Sequence, residues 1–255
     1  MSFEVSADAY GRFMARYSDR LAGRFADLAG VRAGQRALDV GCGPGALSAE
    51  LVRRLGTAHV SAVDPSVSFV AATGERLPGI DVRQGAAERL PFDDDSFDVA
   101  LAQLVVQFMA DPVAGLREMA RVARPGGVVA ACVWDRGGGR SPTTLFWQAA
   151  TDLDPATDTG AGNAPGARAG ELAALSLRAG LADVRSSEIV VEAQRISFDE
   201  WWAPLRLGVG PVGDHVLSLD DEHRDRLRAR CRELWDAQPD PVTVAAWAVR
   251  ARAGA

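Results

Sequence analysis

ALDVGCGPGALSAEL, residues 37–51, changes character twice within a few positions. It opens on an apolar run, passes through Gly41, Gly43 and Gly45, and continues with apolar residues at helical spacing. Glycine is the residue for a turn with positive φ, or for a main chain that must approach a ligand closely. The pattern predicts a buried strand, a tight turn and an amphipathic helix that stops at Gly56.

Strands and helices alternate outward from this turn. Residues 58–64 (AHVSAVD) read as a strand, and residues 65–78 as a helix with Pro65 in its first turn. IDVRQG (80–85) reads as a third strand, and FDVALAQLVVQF (97–108) as a fourth that runs into a loop. A helix follows with Asp111 as N-cap, Pro112 at its first position and a Pro-Gly-Gly stop, then the strand VVAACVW (128–134). Continuous apolar strands joined by helix-length crossovers predict a parallel sheet covered on both faces, an α/β doubly wound core. Beyond Trp134, Gly/Pro/Asp-rich connections flank a short apolar helix near residues 145–150, and ELAALSLRAG gives another helix. VRSSEIVVEAQRI (184–196) and PVTVAAWAVRARA (241–253) read as strands. Between them lies a mostly helical insertion, residues 197–239, with Trp201, Trp202 and Trp235, expected beside the sheet rather than inside it.

With 47% hydrophobic and 24% charged residues in 255, the chain has the composition of a globular protein with a substantial core. No run is long enough for a membrane span, and the first residues lack the apolar stretch of a signal peptide, so a cytoplasmic location is expected. Cys42, Cys132 and Cys231 form neither a disulfide framework nor a metal-ligand spacing, and no His/Asp/Glu cluster suggests a metal. The formal charge of −6 argues against nucleic-acid or membrane partners. Arginines 224, 226, 228, 230 and 232 recur every second residue, which scatters them around a helix as a solvated surface. All 28 basic residues other than histidine are arginine, and the absence of lysine removes both a P-loop and a lysine Schiff base.

A glycine turn after the first strand of a doubly wound sheet lies at the carboxyl edge of the strands, where ligands bind. A dinucleotide and an adenosyl group both suit such a turn, and Gly-Cys-Gly-Pro-Gly-Ala approximates the dinucleotide fingerprint. Asp39 favours the second class. A carboxylate just before the first glycine offers nothing to a pyrophosphate, whereas a ligand with an ammonium and a sulfonium would be attracted.

LDVGCGPG (38–45), AVDPS (62–66), GAAERLPFDDDSFD (85–98) and RVARPGG (121–127) stand in order on these elements. In this the chain resembles the class I S-adenosylmethionine-dependent methyltransferases, in particular a small-molecule branch, over roughly residues 10–135. The resemblance implies a single domain, 1–255, with a doubly wound, mostly parallel seven-stranded sheet and a last antiparallel strand. Residues 1–35 would form an N-terminal helical cover, 36–135 the cofactor-binding core and 197–239 a helical substrate lid. It further implies S-adenosylmethionine as cofactor and a small-molecule acceptor. Gly41, Cys42, Gly43 and Gly45 would pass under the methionine and ribose. Asp39 would hold the amino-acid end, and Asp64, followed by Pro65, would accept the ribose hydroxyls. Many relatives carry an aspartate after Gly85 for the adenine amino group. Here the residue is Ala86, which leaves backbone contacts at Ala86 and Ala87 with Glu88 nearby.

Gln103 falls where the family lines the methyl-transfer site. Tyr10 and Tyr17, on the helical stripe of the N-terminal segment, are candidates for closing the site. The acceptor atom stays open among carbon, nitrogen and oxygen, and no catalytic residue is assigned. His215 and His223 are the only histidines available from the insertion, and neither sits in a motif. The alternatives are an NAD(P)-dependent oxidoreductase on the same fold and a non-catalytic adenosyl-binding protein. A nucleic-acid methyltransferase would want a motif such as Asn-Pro-Pro-Tyr after the fourth strand, unlike AQLVVQF (102–108).

Overall fold

The computed structural model describes residues 7–160, 164–208 and 210–254, with the backbone alone for residues 7–13. Seven strands form one sheet: β1 (Ala37–Val40), β2 (Val60–Asp64), β3 (Asp81–Gln84), β4 (Phe97–Gln103), β5 (Ala123–Trp134), β6 (Ala182–Ala193) and β7 (Val242–Arg252). Their order is β3-β2-β1-β4-β5-β7-β6. The first five run parallel, and β7 is antiparallel to both β5 and β6. The doubly wound, mostly parallel sheet expected from the sequence is the sheet observed.

β1 leads to β2 on one side and neighbours β4 on the other, so the strand order reverses there and opens a crevice at the carboxyl ends of β1 and β4. The strands are apolar on both faces because both are covered. Val99 and Leu101 of β4 join one core, Ala100 and Ala102 the other. The first core also takes in α1 (Ala7–Ala29), α2 (Ala46–Leu55) and α5 (Thr144–Leu153). The second takes in α4 (Pro112–Val122) and α6 (Glu171–Arg178), while α3 (Val67–Arg76) packs on β2 and β3.

Local chemistry sets the element ends. Asp111 caps α4 by accepting from the N–H groups of Val113 and Ala114, with Pro112 at the first helical position. Two expectations need correction. Pro65 lies ahead of α3, because Ser66 takes the N-cap and accepts from Phe69 N–H. The Pro-Gly-Gly segment lies within the first residues of β5, where Pro125 and Gly126 are exposed and the pairing is irregular near Phe97, rather than forming a stop before it.

Between β6 and β7 lie α7 (Phe198–Trp202), a short 3-10 turn, α8 (Gly210–Ser218) and α9 (Asp221–Asp236). Ser197 and Glu200 form a capping box on α7. Trp201, Trp202 and Trp235 are buried in the first core, and the Trp201 and Trp235 rings stack 5.0 Å apart. On α9, Arg224, Arg228, Arg230 and Arg232 pair with Asp221, Asp199, Asp152 and again Asp199, a solvated face as read. Cys42, Cys132 and Cys231 are buried free thiols. Among the described residues no helix is long and apolar enough to cross a membrane, and no cluster of His, Cys, Asp or Glu could hold a metal.

Candidate functional site

The turn after β1 needs its glycines for three different reasons. Gly41 (φ +72°) passes under the residues that follow β4, and a Cβ there would lie 2.3 Å from Val105 Cγ2. Gly43 (φ +54°) has no atom within 4 Å of where a Cβ would sit, so its position opens on free space. Gly45 (φ +84°) is the left-handed N-cap of α2, and a Cβ would press on Thr73 Oγ1 at 3.1 Å. The turn's amides are internally engaged. Gly41 and Cys42 N–H both donate to Val63 O, Gly45 N–H donates to Cys42 O, and Gly43 N–H donates to Asp64 Oδ2 at 2.9 Å.

Two carboxylates stand beside this turn. Asp39, at 1% exposure, accepts from Ser48 Oγ at 2.6 Å through Oδ2, while its Oδ1 is buried without a partner. Burial pushes the Asp39 carboxyl up to about 7 against the Ser48 hydrogen bond, and neighbouring Asp64 adds to the rise. Asp64 is itself raised by burial, an effect moderated by the N–H groups of Ser66 and Gly43 that it accepts. Burial also holds the Cys42 thiol protonated, well above its ordinary range.

The crevice contains a cavity of about 400 Å³. Among the described residues its lining holds five carboxylates, Asp19, Asp39, Asp64, Glu88 and Asp214, against one guanidinium, that of Arg76. Glu88 Oε1 also accepts from Asp111 N–H at 3.2 Å, which ties the loop after β3 to the start of α4. Leu104, directly after β4, adopts φ +63°, an uncommon conformation for a bulky residue, and lines the cavity next to Val105.

Most of the residues singled out from the sequence meet here. Asp39, Gly41, Cys42, Gly43, Asp64, Pro65, Ala86, Ala87, Glu88 and Gln103 all line the cavity. Gly45 does not, because its place is the helix cap packed on Thr73. Tyr17 is 2% exposed and belongs to the first core, so the apolar stripe of α1 faces the sheet. The neighbouring positions Ala15, Ser18 and Asp19 reach the cavity instead. The Tyr10 side chain lies outside the described residues. Trp134, Trp201 and Trp202 are core residues. Val105, Phe108 and Met109 after β4 were missed, and Gly210, Pro211 and Asp214 of α8 were anticipated only as part of the 197–239 segment expected to form a substrate lid, since none of them carries a motif.

Solved structures share this fold across almost the whole chain. A SAM-dependent methyltransferase from Aquifex aeolicus superposes with a TM-score of 0.53 at 17% identity, over 94% of this chain and 93% of that one. This is the class I methyltransferase fold. The [4+2]-cyclase SpnF superposes on this chain as well, with a TM-score of 0.55 at 19% identity, over 92% of this chain and 80% of that one. Residues 38–131, which run from β1 into β5, match the family model described as a methyltransferase domain. A malonyl-[acyl-carrier protein] O-methyltransferase from Erwinia billingiae is 39% identical over 133 residues, 49% of this chain and 52% of that one. The chain spans 30% to 52% of the lengths of the first curated relatives it matches.

Proposed function

We propose that the cavity binds S-adenosylmethionine and that the protein transfers its methyl group to a small-molecule acceptor, releasing S-adenosylhomocysteine. Asp39 carries this reading: a buried carboxylate with one oxygen unpartnered, beside Asp64, in a cavity dominated by negative charge. A buried polar atom without a partner is rare and calls for a ligand or water. A ligand with an ammonium and a sulfonium supplies both the missing donor and the counter-charge. A pyrophosphate fits poorly, because the four turn amides described above are spent on Val63, Cys42 and Asp64 rather than offered to an anion.

The family model and the four motifs support the division of roles. Asp39 serves the amino-acid end, Asp64 the ribose hydroxyls, and the backbone at Ala86 and Ala87 with Glu88 the adenine. When bound, the cofactor brings a methyl group already activated by positive charge on sulfur. The chain's own task is then to align the acceptor and exclude water. No histidine lines the cavity among the described residues. His215 packs edge-on against Phe146 and Trp147 at 5.8 and 5.7 Å, and burial lowers its pKa. Transfer through approximation and desolvation, without a dedicated base, accords with that lining.

A cyclase on the same fold gives weight to a second reading, in which the cofactor binds and no methyl group moves. The deciding experiment incubates the protein with donor carrying a deuterated methyl group and a panel of small amines, alcohols and phenols. Methyl transfer adds the labelled mass to an acceptor and yields stoichiometric S-adenosylhomocysteine. Cofactor binding with no labelled product across the panel supports the non-methylating reading.

A further inference from the structure

One buried side chain of the cavity carries a signal of its own. Gln103 ends β4, lines the cavity and is 9% exposed. Its Nε2 donates to Ser18 O of α1 at 3.1 Å. A backbone carbonyl only accepts, so this bond fixes the amide with its NH2 group toward α1. The other end is therefore the carbonyl, and Oε1 is buried with no hydrogen-bond partner. Whatever satisfies it must bring an N–H or O–H. Arg76, the one cationic side chain in the lining among the described residues, is on α3 and donates to Pro44 O at 3.1 Å.

Charge narrows the class. Asp19 follows Ser18 on α1 and Asp214 sits on α8, and both line the cavity as exposed carboxylates. An acidic acceptor would meet these two groups as well as Asp39 and Asp64, whereas a basic one is drawn in.

We propose that the acceptor is a small amine, anchored by an N–H to Gln103 Oε1 and selected for positive charge by Asp19 and Asp214. This rests on the methyl-transfer reading above. The amine arrives as an ammonium and gives one proton to water at the mouth. Its lone pair then forms the N–C bond while the C–S bond breaks, and that electron pair stays on sulfur. The product is a methylated ammonium and a neutral thioether.

The test is calorimetric binding to protein saturated with S-adenosylhomocysteine. The probes are small skeletons, each supplied as matched amine, alcohol and carboxylic acid. Among skeletons that bind, the amine is expected to bind at least about tenfold more tightly than the acid. Gln103→Met, which keeps the shape but removes both the Oε1 acceptor and the Nε2 bond to Ser18 O, should weaken amine binding by about tenfold in a folded variant that still binds S-adenosylhomocysteine. The double variant Asp19→Asn/Asp214→Asn should raise KM for the amine while kcat holds. Acids binding as well as amines, no amine binding at all, or a Gln103→Met variant with wild-type amine affinity would each overturn the proposal. Failure of the wild-type protein to bind S-adenosylhomocysteine overturns the cofactor reading itself, a separate result seen in the first titration.

Discussion

Asp39 links cofactor affinity to pH, and the sign follows from its environment. With its carboxyl raised to about 7 in the free protein, Asp39 is about nine-tenths ionised at pH 8 and about one-tenth ionised at pH 6. A cationic ligand binds the ionised form, so affinity should fall about tenfold, or ~1.4 kcal/mol, between those pH values, with proton release on binding near pH 6.5. The same raised value means that Asp39 favours the ligand-free fold at acid pH. That contribution is lost as pH rises through about 7. Asp39→Asn keeps an acceptor for Ser48 Oγ and removes the charge, so the fold survives and this share of the pH dependence disappears. The free ligand's own amino-group titration is common to both titrations, so the difference between wild type and variant isolates Asp39. The assay is calorimetry from pH 6 to 8 in buffers of different ionisation enthalpy. If wild type and Asp39→Asn show the same slope and the same proton release, Asp39 does not face the ligand's charge.

Asp64→Ala should weaken S-adenosylmethionine binding by about 1.5 to 3 kcal/mol, the scale of hydrogen bonds to a charged group, and calorimetry on a normally melting variant checks it. Gly43→Val should abolish binding, because its side chain would enter the open space of the cavity from a left-handed backbone; parental affinity would remove the turn from the site. Gly41→Ala should act on stability instead, costing about 1 to 3 kcal/mol in denaturant unfolding, since its Cβ would collide with Val105 Cγ2.

Residues at strand ends were legible because the period and the turn chemistry of a parallel sheet fix where each strand stops. Asp39, Asp64 and Gln103 all come from such ends, and a doubly wound sheet brings those ends to one edge. The rotational phase of α1 was not legible. Its apolar stripe was visible, but the cavity sits beside that stripe, so Tyr17 turned inward and Ser18 and Asp19 took its place. The contribution of α8 had no local signal, since Gly210, Pro211 and Asp214 matter only because the segment between β6 and β7 folds back over the crevice. Nor could the approach of Val105 to Gly41 be read, because it joins two turns far apart in the chain. The insertion is also less detachable than its composition suggested. Buried Trp201, Trp202 and Trp235 make it part of the main core.

A cavity rich in carboxylates should take an adenosyl ligand that carries positive charge. Parallel calorimetric titrations of the wild-type protein with S-adenosylmethionine, S-adenosylhomocysteine and NADH test it most directly. Both adenosyl compounds should bind saturably and NADH should not, with Asp64→Ala weakening the first two alike. Saturable binding of NADH, with no heat from S-adenosylmethionine or S-adenosylhomocysteine, would contradict it.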